Sequence, residues 1–203
     1  MAKVEIAPSH RMDSIKEYYF SKKNREIAEL RKAGRDIISL GIGSPDMPPA
    51  QAVIDRLAKE AQRPDVHAYQ PYNGSELLRK AYADWYEKWY NVTLDPKSEV
   101  LPLLGSKEGI MHICMAFLDE GDKVLVPNPG YPTYRAAVTL SGGEVLEYRL
   151  NAANGFYPDF EEIEKEDLSK VKLMFVNYPN MPTGTHPTAE LFEKLVAFAG
   201  KHN

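Results

Sequence analysis

From residue 99 onward, short apolar runs alternate with amphipathic stretches. "EVLPLL" (99–104) precedes the helical pattern "SKEGIMHICMAFLDE", and "KVLVP" (123–127) precedes "YPTYRAAVTLSG". "EVLEYRL" (144–150) precedes a weaker helix over 159–167, and "KLMFVN" (172–177) precedes "TAELFEKLVAFAGKH". Regular interleaving of this kind predicts βαβ units, hence a mainly parallel sheet covered on both faces: an α/β fold of three layers, α/β/α. Upstream, Ile15, Tyr18, Tyr19, Ile27 and Leu30 repeat on a loosely helical period over 12–33, with Gly34 as a stop signal. The short apolar run "DIISLGIG" leads into a Pro-rich loop, and two further helices follow over 50–62 and 75–90. The chain is thus expected to open with a helical arm and a small-domain segment over 1–48 and to continue as an incomplete large α/β domain over 49–203.

In parallel sheets of this type ligands bind beyond the carboxyl ends of the strands, and three unusual loops fall there. "LGSKEG" (104–109) sets Gly105, Ser106 and Lys107 at a strand-to-helix junction, where unpaired N–H groups and the helix dipole favour an anion. The same residues also suit an ordinary N-cap. "NPGYPTY" (128–134) holds Tyr131 between two prolines, a ring stiff enough to stack on a flat ligand, or simply a cap on the core. "NYPNMPTG" (177–184) follows the last apolar run and packs two prolines, two asparagines and a glycine into eight positions. Before these, "HAYQPYNG" offers Tyr69 and Tyr72 ahead of a glycine turn.

Composition narrows the range of functions. With 25 basic and 29 acidic side chains the net charge is −4, and no basic block suits a nucleic-acid backbone. No stretch approaches the roughly 20 apolar residues of a membrane helix, and the amino end has no apolar signal segment, so the cytoplasm is the expected compartment. Cys114 is the one cysteine and lies in the apolar pattern "IMHICMAF", which reads as a buried structural thiol. The histidines show no metal-ligand spacing, so no metal site is assigned.

The order of the loops carries more than any one of them. "GIGSPDMPP", "AYQPYNG", "GSKEG", "PGYPTY" and "NYPNMPTG" together resemble the fold-type-I, pyridoxal-phosphate-dependent aminotransferases of class I/II. Over "EYYFSKKNREIAELRKAGRDIISLGIGSPD" the resemblance is to the branch of LL-diaminopimelate and related aspartate or alanine aminotransferases. It implies transfer of an amino group from an amino acid to a 2-oxo acid, and a homodimer with shared sites. Residue by residue, it implies that Gly105, Ser106 and Lys107 cradle the cofactor phosphate, and that Tyr131 stacks on the pyridine ring. Tyr69 would reach the phosphate of the neighbouring subunit's cofactor. Gly43 would contact the substrate carboxylate, and Tyr18 and Lys107 would face the substrate. The family's cofactor-linking lysine, its pyridine-pairing aspartate and its substrate-gripping arginine fall beyond residue 203, so no catalytic residue is expected within the chain.

One position departs from the pattern. The family has Asn-Pro-Thr-Gly, its asparagine donating to the cofactor's phenolic oxygen, whereas Met181 stands here, and a thioether cannot donate. Losing such a bond to a charged oxygen costs about 1.5–3 kcal/mol. Two alternatives therefore stay beside the aminotransferase reading: a truncated, non-catalytic or binding product of the same family, and a β-lyase or decarboxylase using the same cofactor.

Overall fold

The structure is a computed structural model and describes residues 6–13, 15, 17–41 and 43–202. The chain forms two compact units: Met1–Ile15 together with Leu103–Asn203, and Lys16–Pro102.

The first unit holds a three-stranded, all-parallel sheet of order β2-β1-β3, built from β1 (Lys123–Asn128), β2 (Glu144–Arg149) and β3 (Val171–Met174). β1 is central, and its Val and Leu side chains divide by the two-residue period of a strand. Val124 and Val126 face α4 (Ser106–Phe117) and α5 (Pro132–Leu140), packing with Cys114, Leu118, Tyr134, Ala137 and Val138. Leu125 faces the other way, toward α6 (Phe160–Ile163) and α7 (Ala189–His202), with Tyr148, Leu150, Ile163 and Phe198. The result is the expected α/β/α sandwich. Val124, Leu125, Val138 and Cys114 are fully buried, and burial of a Val or Leu side chain contributes about 1.5–3 kcal/mol.

Register follows from this pattern. Val124 lies opposite Val145 and Leu125 opposite Leu146, while on the other edge Val124 pairs with Leu173 and Leu125 with Met174 after a register shift at Lys123. Beyond β3, Tyr148 crosses under the sheet and its buried hydroxyl donates to the Phe175 carbonyl at 2.6 Å.

The second unit is helical, with α1 (Tyr19–Lys32), α2 (Gln51–Ala61) and α3 (Glu76–Tyr90). α3 begins where the Ser75 hydroxyl accepts from the Leu78 N–H and stops at Asn91, which takes the left-handed conformation at φ 54°. Arg79 on α3 donates to the Pro96 carbonyl at 2.7 Å, fixing the following turn. Gly74 precedes the helix at φ 81°, with Pro102 so close that a Cβ would meet its Cγ at 2.9 Å.

Three expectations change. "EVLPLL" is not a strand: among the described residues no neighbour takes up its ladder, Pro102 lacks a donor, and Leu101 and Leu104 are exposed. The first long helix starts at Tyr19 rather than near residue 12, because Arg25 reaches eight residues back to Glu17 at 2.7 Å, a spacing no helix provides, and holds that segment alongside α1. The weak helix over 159–167 is a single turn, α6, started by the Asp159 side chain accepting from the Glu162 N–H.

Candidate functional site

Three loops of the first unit carry Gly105, Ser106, Lys107, Tyr131 and Met181. α4 starts at Gly105, whose φ of 96° suits only glycine; no side chain caps the helix, and nothing lies within 4 Å of where a Cβ would stand. Its first turn therefore presents N–H groups, the Ser106 hydroxyl and the Lys107 ammonium, a set made of donors with one positive charge. The acidic member of that turn, Glu108, is engaged by the Leu104 N–H at 2.5 Å.

The second loop joins β1 to α5. Tyr131 is the N-cap residue of α5, and Pro132, at the first helical position, costs no donor that the helix would use. The Tyr131 ring is half-buried and set edge-on to Tyr134, with centroids 5.7 Å apart and planes at 86°. Tyr134 in turn stacks on Phe175 at 4.6 Å and 9°. Lys107 brings its Nζ to 5.8 Å from the Tyr131 ring centre, so the structure places the α4 start and this ring side by side. Gly130 is required by close approach rather than by φ: a Cβ there would stand 2.5 Å from the Pro127 carbonyl oxygen. Asn128, at the end of β1, donates to Glu147 at 3.0 Å, and Glu147 also pairs with Arg135 of α5.

The third loop follows β3. Asn180 is its centre and is 3% exposed, the one buried polar residue among those described. Its N–H donates to the Thr185 carbonyl at 2.7 Å, and its carbonyl accepts from the Gly184 N–H at 2.6 Å. The side-chain oxygen accepts from the Thr183 hydroxyl at 2.7 Å, and the amide donates to the Asn177 carbonyl at 3.3 Å. Asn177 Oδ1 accepts from the Met181 N–H at 3.1 Å. Tyr178 donates to the Phe156 carbonyl at 2.9 Å and stacks with Tyr157; burial pushes its hydroxyl up to about 12. The Met181 side chain itself is exposed.

Gly43, Tyr18 and Tyr69 belong to the Lys16–Pro102 unit. Tyr69 is wholly exposed, Gly43 has open space around it, and Tyr18 is half-exposed beside Phe20, with ring centroids 5.6 Å apart. Sequence reasoning passed over Asn177 and Gly130, and took Asn180 only as a neighbour of Met181 whose one-residue offset aims its side chain elsewhere. An asparagine beside a proline in a tight loop is the available signal, since its side chain competes for neighbouring backbone groups. A separate cavity of about 690 Å³ lies between α6 and α7, where Lys201 is tied to Glu164 at 2.8 Å; none of the expected site residues lines it. Cys114 is fully buried, and burial pushes its thiol up. Among the described residues no group of three ligating side chains suits a metal ion, and no helix is long and apolar enough to cross a membrane.

A parallel sheet between two helical layers, with its distinctive loops gathered at the helix starts and strand ends, defines an α/β protein of the ligand-binding kind. More particularly, the chain belongs to the aminotransferase class I and II family, whose model matches residues 35–203. The family uses pyridoxal 5′-phosphate. The chain is 47% identical to an LL-diaminopimelate aminotransferase of Moorella thermoacetica over 195 residues, covering 96% of this chain and 50% of that protein. A homologue of the same name from Dehalococcoides mccartyi is 45% identical with the same coverage. Among solved structures, apo-BacF of Bacillus subtilis superposes with a TM-score of 0.91 at 40% identity, covering 98% of this chain and 51% of the other. The aspartate aminotransferase of Thermotoga maritima gives 0.88 at 31% identity, covering 97% and 52%. The chain spans about half the length of the curated relatives it matches.

Proposed function

We propose that this chain provides the phosphate and ring side of a pyridoxal-phosphate site in an aminotransferase that moves an amino group from an amino acid to a 2-oxo acid. The observation that carries the reading is the juxtaposition of an uncapped helix start, bearing Ser106 and Lys107, with the braced ring of Tyr131.

The residues present suit most of the cofactor. Gly105 leaves room for a bulky anion at the helix start, and the donors there match a phosphate. Tyr131 offers a ring held by Tyr134. Met181 does not supply the donor that the family's asparagine gives. When bound, pyridoxal phosphate withdraws electrons from the substrate's α-carbon. In this reading Ser106 and Lys107 anchor the phosphate and Tyr131 fixes the plane of the ring. Gly43, Tyr18 and Lys107 face the substrate, for which an LL-diaminopimelate-like amino acid is the candidate by kinship with the 47% identical relative. Tyr69, fully exposed, serves the partner site of a homodimer in the cytoplasm. Residues 1–48 then act as the arm and 49–203 as the cofactor-binding part, a functional division that cuts across the two compact units.

Titration of the purified chain with pyridoxal phosphate, followed by absorbance and fluorescence, tests the reading. Saturable binding is expected, weakened about tenfold or more in Ser106→Ala and in Tyr131→Ala, as loss of a charged hydrogen bond or of ring stacking requires. No binding, or binding indifferent to both substitutions, would refute it. Met181 favours a second reading, a cofactor-binding product without turnover. The coding sequence past codon 203 separates the two: an in-frame continuation that supplies a cofactor-linking lysine supports the aminotransferase, and a stop codon there supports the second reading.

A further inference from the structure

The loop after β3 is built so that its shape is independent of the side chain at residue 181. Both backbone groups of Asn180 and both polar atoms of its side chain are engaged within the loop, by Thr185, Gly184, Thr183 and Asn177. Asn180 is thereby removed from any role toward a ligand: turning its amide outward would leave the Thr183 hydroxyl and the Asn177 carbonyl without their partners. Residue 181 is held by its backbone alone, through the N–H that donates to Asn177 Oδ1 at 3.1 Å. Its side chain makes no hydrogen bond, being a thioether, and is exposed.

We infer that Asn177 and Asn180 are positioning residues, which hold the 177–185 loop in its binding shape and fix residue 181 through the backbone, whatever side chain stands there. The inference rests on the proposed function for what the loop faces, and on the hydrogen bonds above for how the loop is held. A frame formed before the ligand arrives leaves less ordering to be done on binding. Asn177 is the more informative member. It is half-buried, its Oδ1 serves one N–H, and replacement by aspartate keeps that acceptor in nearly the same shape, whereas alanine deletes it.

The test uses the full 203-residue chain, with pyridoxal phosphate as probe and amide hydrogen exchange as a readout that needs no activity. Loss of one net hydrogen bond corresponds to about a two- to tenfold change in a local opening equilibrium. Asn177→Ala should therefore accelerate exchange of the Met181 amide by about that factor and weaken pyridoxal phosphate binding to a similar degree. Asn177→Asp should restore both, and Met181→Ala should leave exchange at Gly184 and Thr185 unchanged. Unaltered Met181 exchange in Asn177→Ala overturns the inference. So does accelerated exchange with unaltered affinity, or an aspartate variant no better than alanine. If the wild-type chain binds no pyridoxal phosphate, the proposed function falls, and the inferred frame then stands or falls on Met181 exchange alone.

Discussion

Gly130 is the point at which the Tyr131 loop is most sharply constrained, and replacing it with alanine isolates that constraint. The new Cβ would stand 2.5 Å from the Pro127 carbonyl oxygen, 2.8 Å from Pro127 Cγ and 3.2 Å from the Pro127 carbonyl carbon. Pro127 cannot step aside freely, since it is buried in the central strand and registered opposite Tyr148. The loop carrying Tyr131 has to move instead, and overpacking of this kind costs about 1–3 kcal/mol. Gly200 supplies the control. It lies in α7 with nothing within 4 Å of a built Cβ, so alanine there should be neutral or stabilising by up to about 0.5–1 kcal/mol, from helix propensity. Urea unfolding followed by far-ultraviolet circular dichroism measures both, and thermal midpoints should move in opposite directions by about 2–4 °C per kcal/mol. Gly130→Ala should also weaken pyridoxal phosphate binding, while Gly200→Ala leaves it unchanged. A Gly130→Ala chain within about 0.5 kcal/mol of wild type, or one no less stable than Gly200→Ala, would refute the steric argument.

Two further outcomes are expected. Tyr148→Phe should lower the unfolding free energy by about 1–3 kcal/mol, because the half-buried Phe175 carbonyl loses its 2.6 Å donor; a loss below about 0.5 kcal/mol in the same urea experiment would show that another group satisfies it. Asp167 is held at about 2 by hydrogen bonds from the Ser169 hydroxyl and N–H and by Lys123. A carboxyl depressed on folding contributes stability above its unfolded value near 4 and loses it as pH falls toward 2, so the urea midpoint of wild type should drop more steeply than that of Asp167→Asn between those values. Parallel profiles for the two proteins would contradict this.

What the residue pattern conveyed was whatever depends on near neighbours. α3, α4 and α7 begin within a residue or so of where periodicity and capping put them, since Ser75 and Gly105 act on the turn that immediately follows. β1 and β2 read correctly because Val and Leu runs between turns have few other fates inside a sheet. "EVLPLL" reads equally apolar and forms no strand, because a strand exists only with a partner, and pairing is not a property of six residues. The site divided along the same line. The donors at Ser106 and Lys107 and the stiffened ring of Tyr131 were apparent from local chemistry, whereas the closeness of Lys107 to that ring depends on how α4 and α5 pack together on one face of the sheet. The role of Asn180 was hidden for a related reason: its bonds close a loop onto Thr185 and Gly184, and only the folded path shows which of the loop's two asparagines turns inward.

The row of rings from Tyr131 through Tyr134 to Phe175 has a consequence for motion. With Tyr131 edge-on to Tyr134 and Tyr134 stacked on Phe175, the loop after β1 and the segment leaving β3 are braced against a common element. Their fluctuations become one correlated mode in place of two independent ones. A ligand that steadies Tyr131 therefore also damps the start of the loop bearing Met181, and disorder introduced at either end is felt at the other.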